Sequence, residues 1–586
     1  MIAVDYETYY DKVVSVKTMG PWGYAHDPRT DIYMVSVVGE GISFVGPPSE
    51  FRWDRLNGKH LCSHNAGFDH VVTHAAQSRG LIPEFKPASW SCTADLAAYH
   101  GLPRALAPAI EQVTGEKHSK DMRNYMSGKN WDYVVKKGRA PEMLDYALKD
   151  SEHCLTLWNE LSSGWPAHER LLSSLTRSHI YRGVNIDTEK VAKAIEDLTK
   201  VREDAADRIP WAGTGVATLS PANVKDYCQL VGIPAPKSLA KDSPLAAEWE
   251  SAYGHKFEWV AGLRDYRSSN MLLKKFESIR DRTRSDDTMP VYLKYFGGHT
   301  GRWSGDSGVN MQNPPQGTMF GTNMRECFVP KPGHKFVLMD QSQIEPRVLA
   351  WLVNDRDLLN AVRGGMAIYE AHARATMGWA GGKLKSENPG LYKLAKARVL
   401  GLGFGCGWKK FITVAMNLAG VTLTPEESQT TVSQWRSQNP KVCDFWRRLD
   451  NGLSTGHKCR HEQVSYSLPS GRRVKWWQPH LDPEDRDSVR VNKWSGQQWN
   501  YTWGGKMTEN VVQSLGRDIF ADQLLKVAKA GIPVLWSCHD EVICEVPERD
   551  AADALATVEQ IMSTPPDWIP DIPLAAEGSI ESFYTK

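Results

Sequence analysis

Two acidic stretches in the C-terminal half each close an apolar run, and they constrain this chain more than any other feature in it. Asp340-Gln341-Ser342-Gln343-Ile344-Glu345 follows the run 336–339, and His539-Asp540-Glu541 follows the run 532–536. Apolar runs of that length read as buried strands, so Asp340 and Asp540 should emerge at strand ends, where paired carboxylates can share divalent cations. His539, Asp540 and Glu541 then occupy a tight turn before the apolar run 542–546. Between the two acidic stretches the segment 392–400 reads as a helix, and Lys396, Leu400 and Phe404 recur every fourth residue. One helical stripe would carry an ammonium for phosphates and apolar surfaces for a sugar and a base. An acidic hairpin tip alone is a common solvated turn; the three stretches in this order read as a nucleotidyl-transfer site.

A second carboxylate set lies near the N-terminus. Asp5-Tyr6-Glu7-Thr8 closes a short apolar strand whose alternation directs Asp5 and Glu7 to one face. His64-Asn65-Ala66-Gly67-Phe68-Asp69 follows the strand-like 61–63 and turns into a helix-compatible stretch. Apolar spacing in 143–155 is helical, which puts Tyr146 and Asp150 on one face. A phosphodiester anion repels hydroxide, so its hydrolysis needs several carboxylates holding two cations roughly 4 Å apart.

At 586 residues the chain is too long for one hydrophobic core, and roughly two to four domains are expected. No apolar run is long enough to cross a bilayer and no cleavable leader is evident, so no membrane partner is expected. Ten cysteines scattered without CxxC or Cys/His zinc spacing fit reduced thiols in a cytosol. A net charge of +1 leaves a nucleic-acid partner open, because phosphate binding needs a local basic surface. Residues 166–209 are helical in period, with a turn at Gly183-Val184-Asn185-Ile186-Asp187, and 213–244 read as loops between short helices. Arg264, Arg267, Lys274, Lys275, Arg280, Arg282 and Arg284 form a basic row, equally compatible with a solvated helix face and with phosphate tracking.

The C-terminal stretches resemble motifs A, B and C of the family A, or DNA polymerase I-like, DNA polymerases. His299-Thr300-Gly301-Arg302-Trp303-Ser304 and Asn310-Met311-Gln312-Asn313-Pro314-Pro315 resemble the TGR and NxQNxP segments of that family, and Arg325-Glu326-Cys327-Phe328 its short link into the palm. The N-terminal set resembles the ExoI, ExoII and ExoIII motifs of DEDDy 3′→5′ exonucleases, with Thr93-Ala94-Asp95-Leu96 in the intervening region. Leu468-Pro469-Ser470-Gly471-Arg472 and Trp503-Gly504-Gly505-Lys506 flank a charged, Trp-rich insertion and resemble phage members in particular.

The resemblance implies an α/β multidomain fold: an RNase H-like exonuclease domain over 1–165, then a right-hand polymerase domain over 166–586. Its thumb would span about 166–295, its palm about 296–355 and 505–586, and its fingers about 356–504. The implied activity is template-directed DNA synthesis from dNTPs with proofreading, replicating a phage genome in the cytoplasm of an infected bacterial host. Asp340 and Asp540, with Glu541 beside them, would bind two Mg2+ ions, for which Mn2+ can substitute. Asp5, Glu7, Asp69 and Asp150 would bind a second pair, with Tyr146 orienting the attacking water. Lys393, Lys396, Leu400, Phe404, Glu345 and Gln341 would meet the dNTP, Gln341 through its backbone carbonyl and Glu345 as a steric gate against a ribose 2′-OH. Arg302, Asn310, Gln312, Asn313, Gln513, Arg517 and His539 would contact primer-template DNA; amides and guanidinium can probe minor-groove acceptors present in every base pair. Phage or host replication proteins are the further partners expected.

Several positions depart from the family pattern. Gln341 and Pro346 stand where Tyr and Leu are usual, and Leu400 where many relatives carry an aromatic ring. Tyr392 replaces a phosphate-binding Arg, with Lys393 next to it as compensation. Phe404 lacks the hydroxyl that would bond Glu345, so that carboxylate needs another donor or water. Two rival functions are a single-subunit RNA polymerase, opposed by Glu345 and the exonuclease set, and a replication scaffold with a dead palm, opposed by the intact Asp340, Lys396 and Asp540.

Overall fold

The computed structural model describes residues 1–239, 243–481, 489–492 and 499–585. The N-terminal strand is Ile2–Thr8, and it forms the centre of a five-stranded sheet ordered Ile42–Gly46, Ile32–Gly39, Ile2–Thr8, His60–Ser63, Ser89–Cys92. Ile42–Gly46, Ile32–Gly39 and Ile2–Thr8 pair antiparallel, whereas His60–Ser63 and Ser89–Cys92 continue the sheet in parallel. The helix Ala140–Leu161 packs on Ile2–Thr8 and Ile32–Gly39, burying Met143, Ala147, Cys154 and Leu157 at helical spacing.

A second sheet is antiparallel throughout, ordered Val534–Cys538, Glu541–Pro547, His334–Gln341, Ala576–Glu581. Along His334–Gln341, Val337 and Met339 enter a core with Phe520, Ala521 and Val558, while Phe336 and Leu338 face Phe276 and Trp536. Both faces of that strand are covered, which is why its sequence is a continuous apolar run and not an alternating one. The helices Thr188–Asp207 and Glu258–Arg282 lie along each other and close the second of these cores.

The turn expected at 183–187 contains a short strand. Val184–Ile186 pairs with Phe328–Val329 on one side and Thr288–Met289 on the other. Gly183 makes the entry possible: its φ is 65°, and a Cβ there would sit 3.0 Å from the Met289 carbonyl oxygen. A further antiparallel sheet, ordered Gln463–Ser467, Arg473–Leu481, Val489–Asn492, Trp499–Thr502, is the Trp-rich insertion; its residues 482–488 and 493–498 lie outside the described residues. The expectation of an α/β multidomain chain holds. Among the described residues no helix is long and apolar enough to cross a membrane.

Buried polar ties join the first sheet's unit to the rest. Arg104 pairs with Asp95 and donates to the Tyr295 carbonyl at 2.7 Å, and Ser173 donates to the same Asp95 at 2.6 Å. Beside that tie, within residues 166–586, Glu169 accepts from Arg517 at 2.5 Å and from the Tyr295 hydroxyl at 2.6 Å, all three buried. Trp158, Trp165 and Leu172 share one apolar core with Tyr295 and Val337.

Candidate catalytic centres

The strand His334–Gln341 carries Asp340 to its end, opposite Glu541 in the antiparallel register. The Gln341 N–H donates to the Asp540 carbonyl at 3.1 Å, so Asp340, Asp540 and Glu541 gather at one corner of the sheet. Val534–Cys538 begins two residues later than the sequence suggests, and His539-Asp540 forms the hairpin turn. His539 has a φ of 56°, unusual for a residue with a Cβ, and Gln312 holds it there. The Gln312 Oε1 accepts from the His539 N–H at 2.9 Å while its Nε2 donates to the Ser537 carbonyl. Gln312 is buried with both ends of its amide engaged, so the expectation that it contacts DNA is corrected: it clamps the acidic turn.

Glu345 lies in the first turn of the helix Ile344–Leu352 and has the donor that Phe404 cannot supply. Arg302 Nη2 donates to Glu345 Oε1 at 2.5 Å, with side chains 31% and 23% exposed. Arg302 was expected only at the DNA; the missing hydroxyl at Phe404 was the signal that some such partner had to exist. The Gln341 side chain is buried and donates to Gln523 Oε1, which leaves only its backbone to serve a ligand.

The helix Pro389–Leu402 starts on an Asn388 cap, whose Oδ1 accepts from the Leu391 N–H at 3.0 Å. Lys393 is exposed, and Lys396 and Leu400 are half-buried. The stripe expected to run through Phe404 stops short: the helix ends at Leu402, and Phe404 sits in the turn that follows. Gly405 in that turn has a φ of 78°, and a Cβ there would come within 3.1 Å of Trp503 Nε1. Arg398, which no sequence pattern marks, is buried on this helix, and burial pushes its guanidinium pKa down.

Arg517 is corrected as well. It is buried, bound to Glu169 and donating to the Gly301 carbonyl at 2.9 Å, and it presents nothing to DNA. Asn310, Asn313 and His539 are exposed, and Gln513 is half-buried, donating to Glu509 at 3.2 Å. Much of the basic row is committed inside the protein: Arg267 to Glu250 at 2.7 Å, Arg282 to the Ser307 carbonyl at 2.9 Å, and Arg284 over the Trp22 ring at 3.7 Å.

In the N-terminal set the carboxylates themselves meet. Ligand oxygens of Asp5, Glu7 and Asp150 lie within 4.8 Å of one another. Asp69 is buried on the helix Ala66–Ser78, where backbone N–H groups of Tyr6 and of Asp69 itself reach its carboxylate. Burial and then the charge of Asp150 push Glu7 up to about 8; burial and neighbouring carboxylates hold Asp5 and Asp69 well above the usual range. Such crowding of buried, hard oxygen donors fits a divalent cation site. Tyr146 stands on the same helix face as Asp150, and burial raises its phenol. His118, on an irregular segment with no sequence pattern to mark it, brings Nε2 to 2.6 Å from Asp150 and stacks on Tyr146 with ring centroids 5.5 Å apart.

Comparison with known proteins gives this geometry a family. A DNA polymerase of Bacillus phage SP02 is 27% identical, over 89% of this chain and 89% of the phage protein. DNA polymerase I of Pseudomonas aeruginosa is 24% identical over 61% of this chain, and that of Rhizobium leguminosarum 24% over 71%. The matches take in 37% and 40% of those two bacterial enzymes, so this chain spans well under half of their length. Among solved structures, the POL domain of Pol1 from M. smegmatis in complex with DNA primer-template and dNTP has the same fold, with a TM-score of 0.70 over 100% of this chain and 95% of that one at 18% identity. The family model for DNA polymerase family A matches residues 246–585, which take in Asp340, Glu345, Lys396 and Asp540. That span is more than half of the sequence, and the chain belongs to the family A DNA polymerases.

Proposed function

We propose that this chain synthesises DNA from dNTPs on a primer-template and removes mispaired 3′ ends at a separate exonucleolytic centre. The observation that carries the first half is the placing of Asp340, Asp540 and Glu541 by the backbone at one sheet corner, in a chain of this family. The second half rests on the Asp5, Glu7 and Asp150 cluster with the buried Asp69 carboxylate beside it. Divalent cations, Mg2+ with Mn2+ as substitute, would be held by Asp340 and Asp540 in one centre and by Asp5, Glu7, Asp69 and Asp150 in the other, supplying charge stabilisation to attacking and leaving oxygens.

The protein's own groups do the rest. Lys396 meets the triphosphate and offsets charge on the leaving pyrophosphate, with Lys393 one turn earlier on the same side. Leu400 and Phe404 give the sugar and base an apolar surface, the Gln341 backbone faces the triphosphate site, and Glu345 fills the space of a 2′-OH. Asn310, Asn313, Gln513 and His539 face the primer-template, and Gln312 keeps the Asp540 turn in place. In the other centre Tyr146 orients water. The exonuclease unit would be 1–165 and the polymerase unit 166–586, with thumb, palm and fingers bounded as the sequence suggests. The phage relative covering most of this chain supports replication of a phage genome in the cytoplasm of an infected bacterium, with phage or host replication proteins as further partners.

Site-directed variants separate the two halves. Asp340→Ala or Asp540→Ala should abolish primer extension and spare 3′→5′ degradation, and Asp5→Ala with Glu7→Ala should do the reverse. Extension near the wild-type rate by Asp340→Ala would remove the first assignment, and loss of both activities together would point to one shared site. Extension assays with rNTPs in place of dNTPs test the RNA polymerase rival.

A further inference from the structure

The Trp-rich insertion belongs to neither carboxylate centre, yet its outward face has the make-up of a nucleic-acid surface. We propose that the sheet Gln463–Ser467, Arg473–Leu481, Val489–Asn492, Trp499–Thr502 is a stacking platform for the single-stranded template ahead of the primer terminus. The proposal rests on the DNA polymerase reading and deepens it.

Strand alternation sorts the sheet into two faces. Val474, Trp476, Val489 and Val491 point into a core with Phe445 and Leu449, which accounts for the fold of the insertion without its other residues. On the opposite face Trp499 and Tyr501 are 46% and 50% exposed, and cations are set among the rings. Arg490 lies over the Tyr501 ring at 5.2 Å, directly across the strand pair, and the half-buried Lys475, which donates to the His100 carbonyl at 3.5 Å, lies over the Trp477 ring at 5.6 Å. Exposed rings of this size in a row mark an interaction surface. An apolar protein partner would not call for guanidinium and ammonium groups between the rings. A strand of unpaired bases on a phosphate chain calls for both, because every base has a stacking face and every linkage a negative charge.

Position selects the strand. The edge strand Trp499–Thr502 runs through Trp503 straight into the helix Gly504–Lys529, and Trp503 packs against Gly405 at the end of the Lys396-bearing helix. The turn between the first two strands is anchored to the same region: Ser470 and Arg472 bind Asp518 at 2.5 and 2.9 Å, and Arg472 donates to the Thr300 carbonyl at 3.0 Å. A strand lying on the aromatic face therefore enters beside the incoming nucleotide, where unpaired template has to arrive.

The test is equilibrium binding, by fluorescence anisotropy, to primer-templates with one duplex and template 5′ overhangs of about 2 or about 12 nucleotides, which bracket a typical single-strand site. The wild type should bind the long overhang more tightly. Trp499→Ala with Tyr501→Ala should lose that gain, by about tenfold, while affinity and single-nucleotide extension on the short overhang stay unchanged. The ring-keeping pair Trp499→Phe with Tyr501→Phe must retain the gain, which separates stacking from damage to the sheet. A wild type indifferent to overhang length, an equal loss on both overhangs, or loss of the gain in the ring-keeping pair would each overturn the proposal. So would a loss confined to a substrate with a frayed primer 3′ end, which would assign the surface to the primer strand. Failure of the wild type to extend the short-overhang substrate at all is a different result, and removes the polymerase reading itself.

Discussion

Removing the Arg302 guanidinium should loosen sugar discrimination, because Glu345, the gate under the proposed function, is held by an ion pair and not by a tyrosine hydroxyl. Arg302 Nη2 and Glu345 Oε1 are 2.5 Å apart, and position 404 is Phe. A hydrogen bond to a charged group contributes about 1.5–3 kcal/mol when sheltered. At 31% and 23% exposure, solvent screens part of that, and about 1 kcal/mol is the fair expectation. Arg302→Met keeps the apolar stem and deletes the charge. Single-nucleotide incorporation of a dNTP and its matching rNTP, on an Asp5→Ala with Glu7→Ala background, should then show the ratio of kcat/KM values falling about fivefold. Glu345→Ala should lower it further, since the obstacle itself is gone. Adding Phe404→Tyr to Arg302→Met should recover part of the loss, a fraction of the ~0.5–1.5 kcal/mol of one net hydrogen bond. If Arg302→Met leaves the ratio unchanged while Glu345→Ala lowers it, the ion pair does not hold the gate. Equal losses for both sugars would place Arg302 at the primer terminus instead.

Gln312→Ala should slow single-turnover extension by about 10–100-fold with little change in DNA affinity, because the turn carrying Asp540 loses its brace; unchanged extension would show that the turn holds itself. Arg517→Met should destabilise the fold by about 3–5 kcal/mol in urea unfolding, since Glu169 is left buried without its partner, and Glu169→Gln in the same chain should recover part of the loss. Were Arg517 a DNA contact, the variant would instead unfold normally and bind primer-template weakly. Burial, then the charge of Arg182, push the His179 imidazole from its ordinary 6.5 down to about 3. The unfolded chain therefore binds the extra proton, so stability is complete above pH 6.5 and falls as pH drops toward 3, by about 1.4 kcal/mol per pH unit for this group. Denaturant titrations at pH 7 and pH 5 should show a smaller acid loss in His179→Leu than in the wild type; equal losses would mean that His179 titrates normally in the fold.

What the sequence revealed follows from what periodicity can carry. His334–Gln341 was legible because both its faces are covered, and Asp5 with Glu7 because they alternate on a strand whose neighbours are apolar. Val184–Ile186 reads as part of a turn in the sequence because three residues hold no period. Phe404 fitted a four-residue spacing, but spacing alone does not register that the helix ends before Gly403. Pairings over long sequence separations escaped altogether. A glutamine or arginine bound for DNA and one bound for a buried carbonyl have the same letter, and only the fold brings Gln312 to His539 or Arg517 to Glu169. His118 carried no signal, since a histidine on an irregular segment looks like any other.

The buried Asp95, tied through Arg104 to the Tyr295 carbonyl and directly to Ser173, locks the unit of one carboxylate centre against the unit of the other. Under the proposed function, an error is then not carried to correction by a swinging domain; the DNA has to make the journey. To do so the primer end must peel from its template, and each base-pair step opened costs about 1.4 kcal/mol. A mismatch has already surrendered part of that at the terminus. The choice between extending and trimming is thus made by the melting of the duplex, and the rigid protein acts as the ruler that sets how far the strand must unzip.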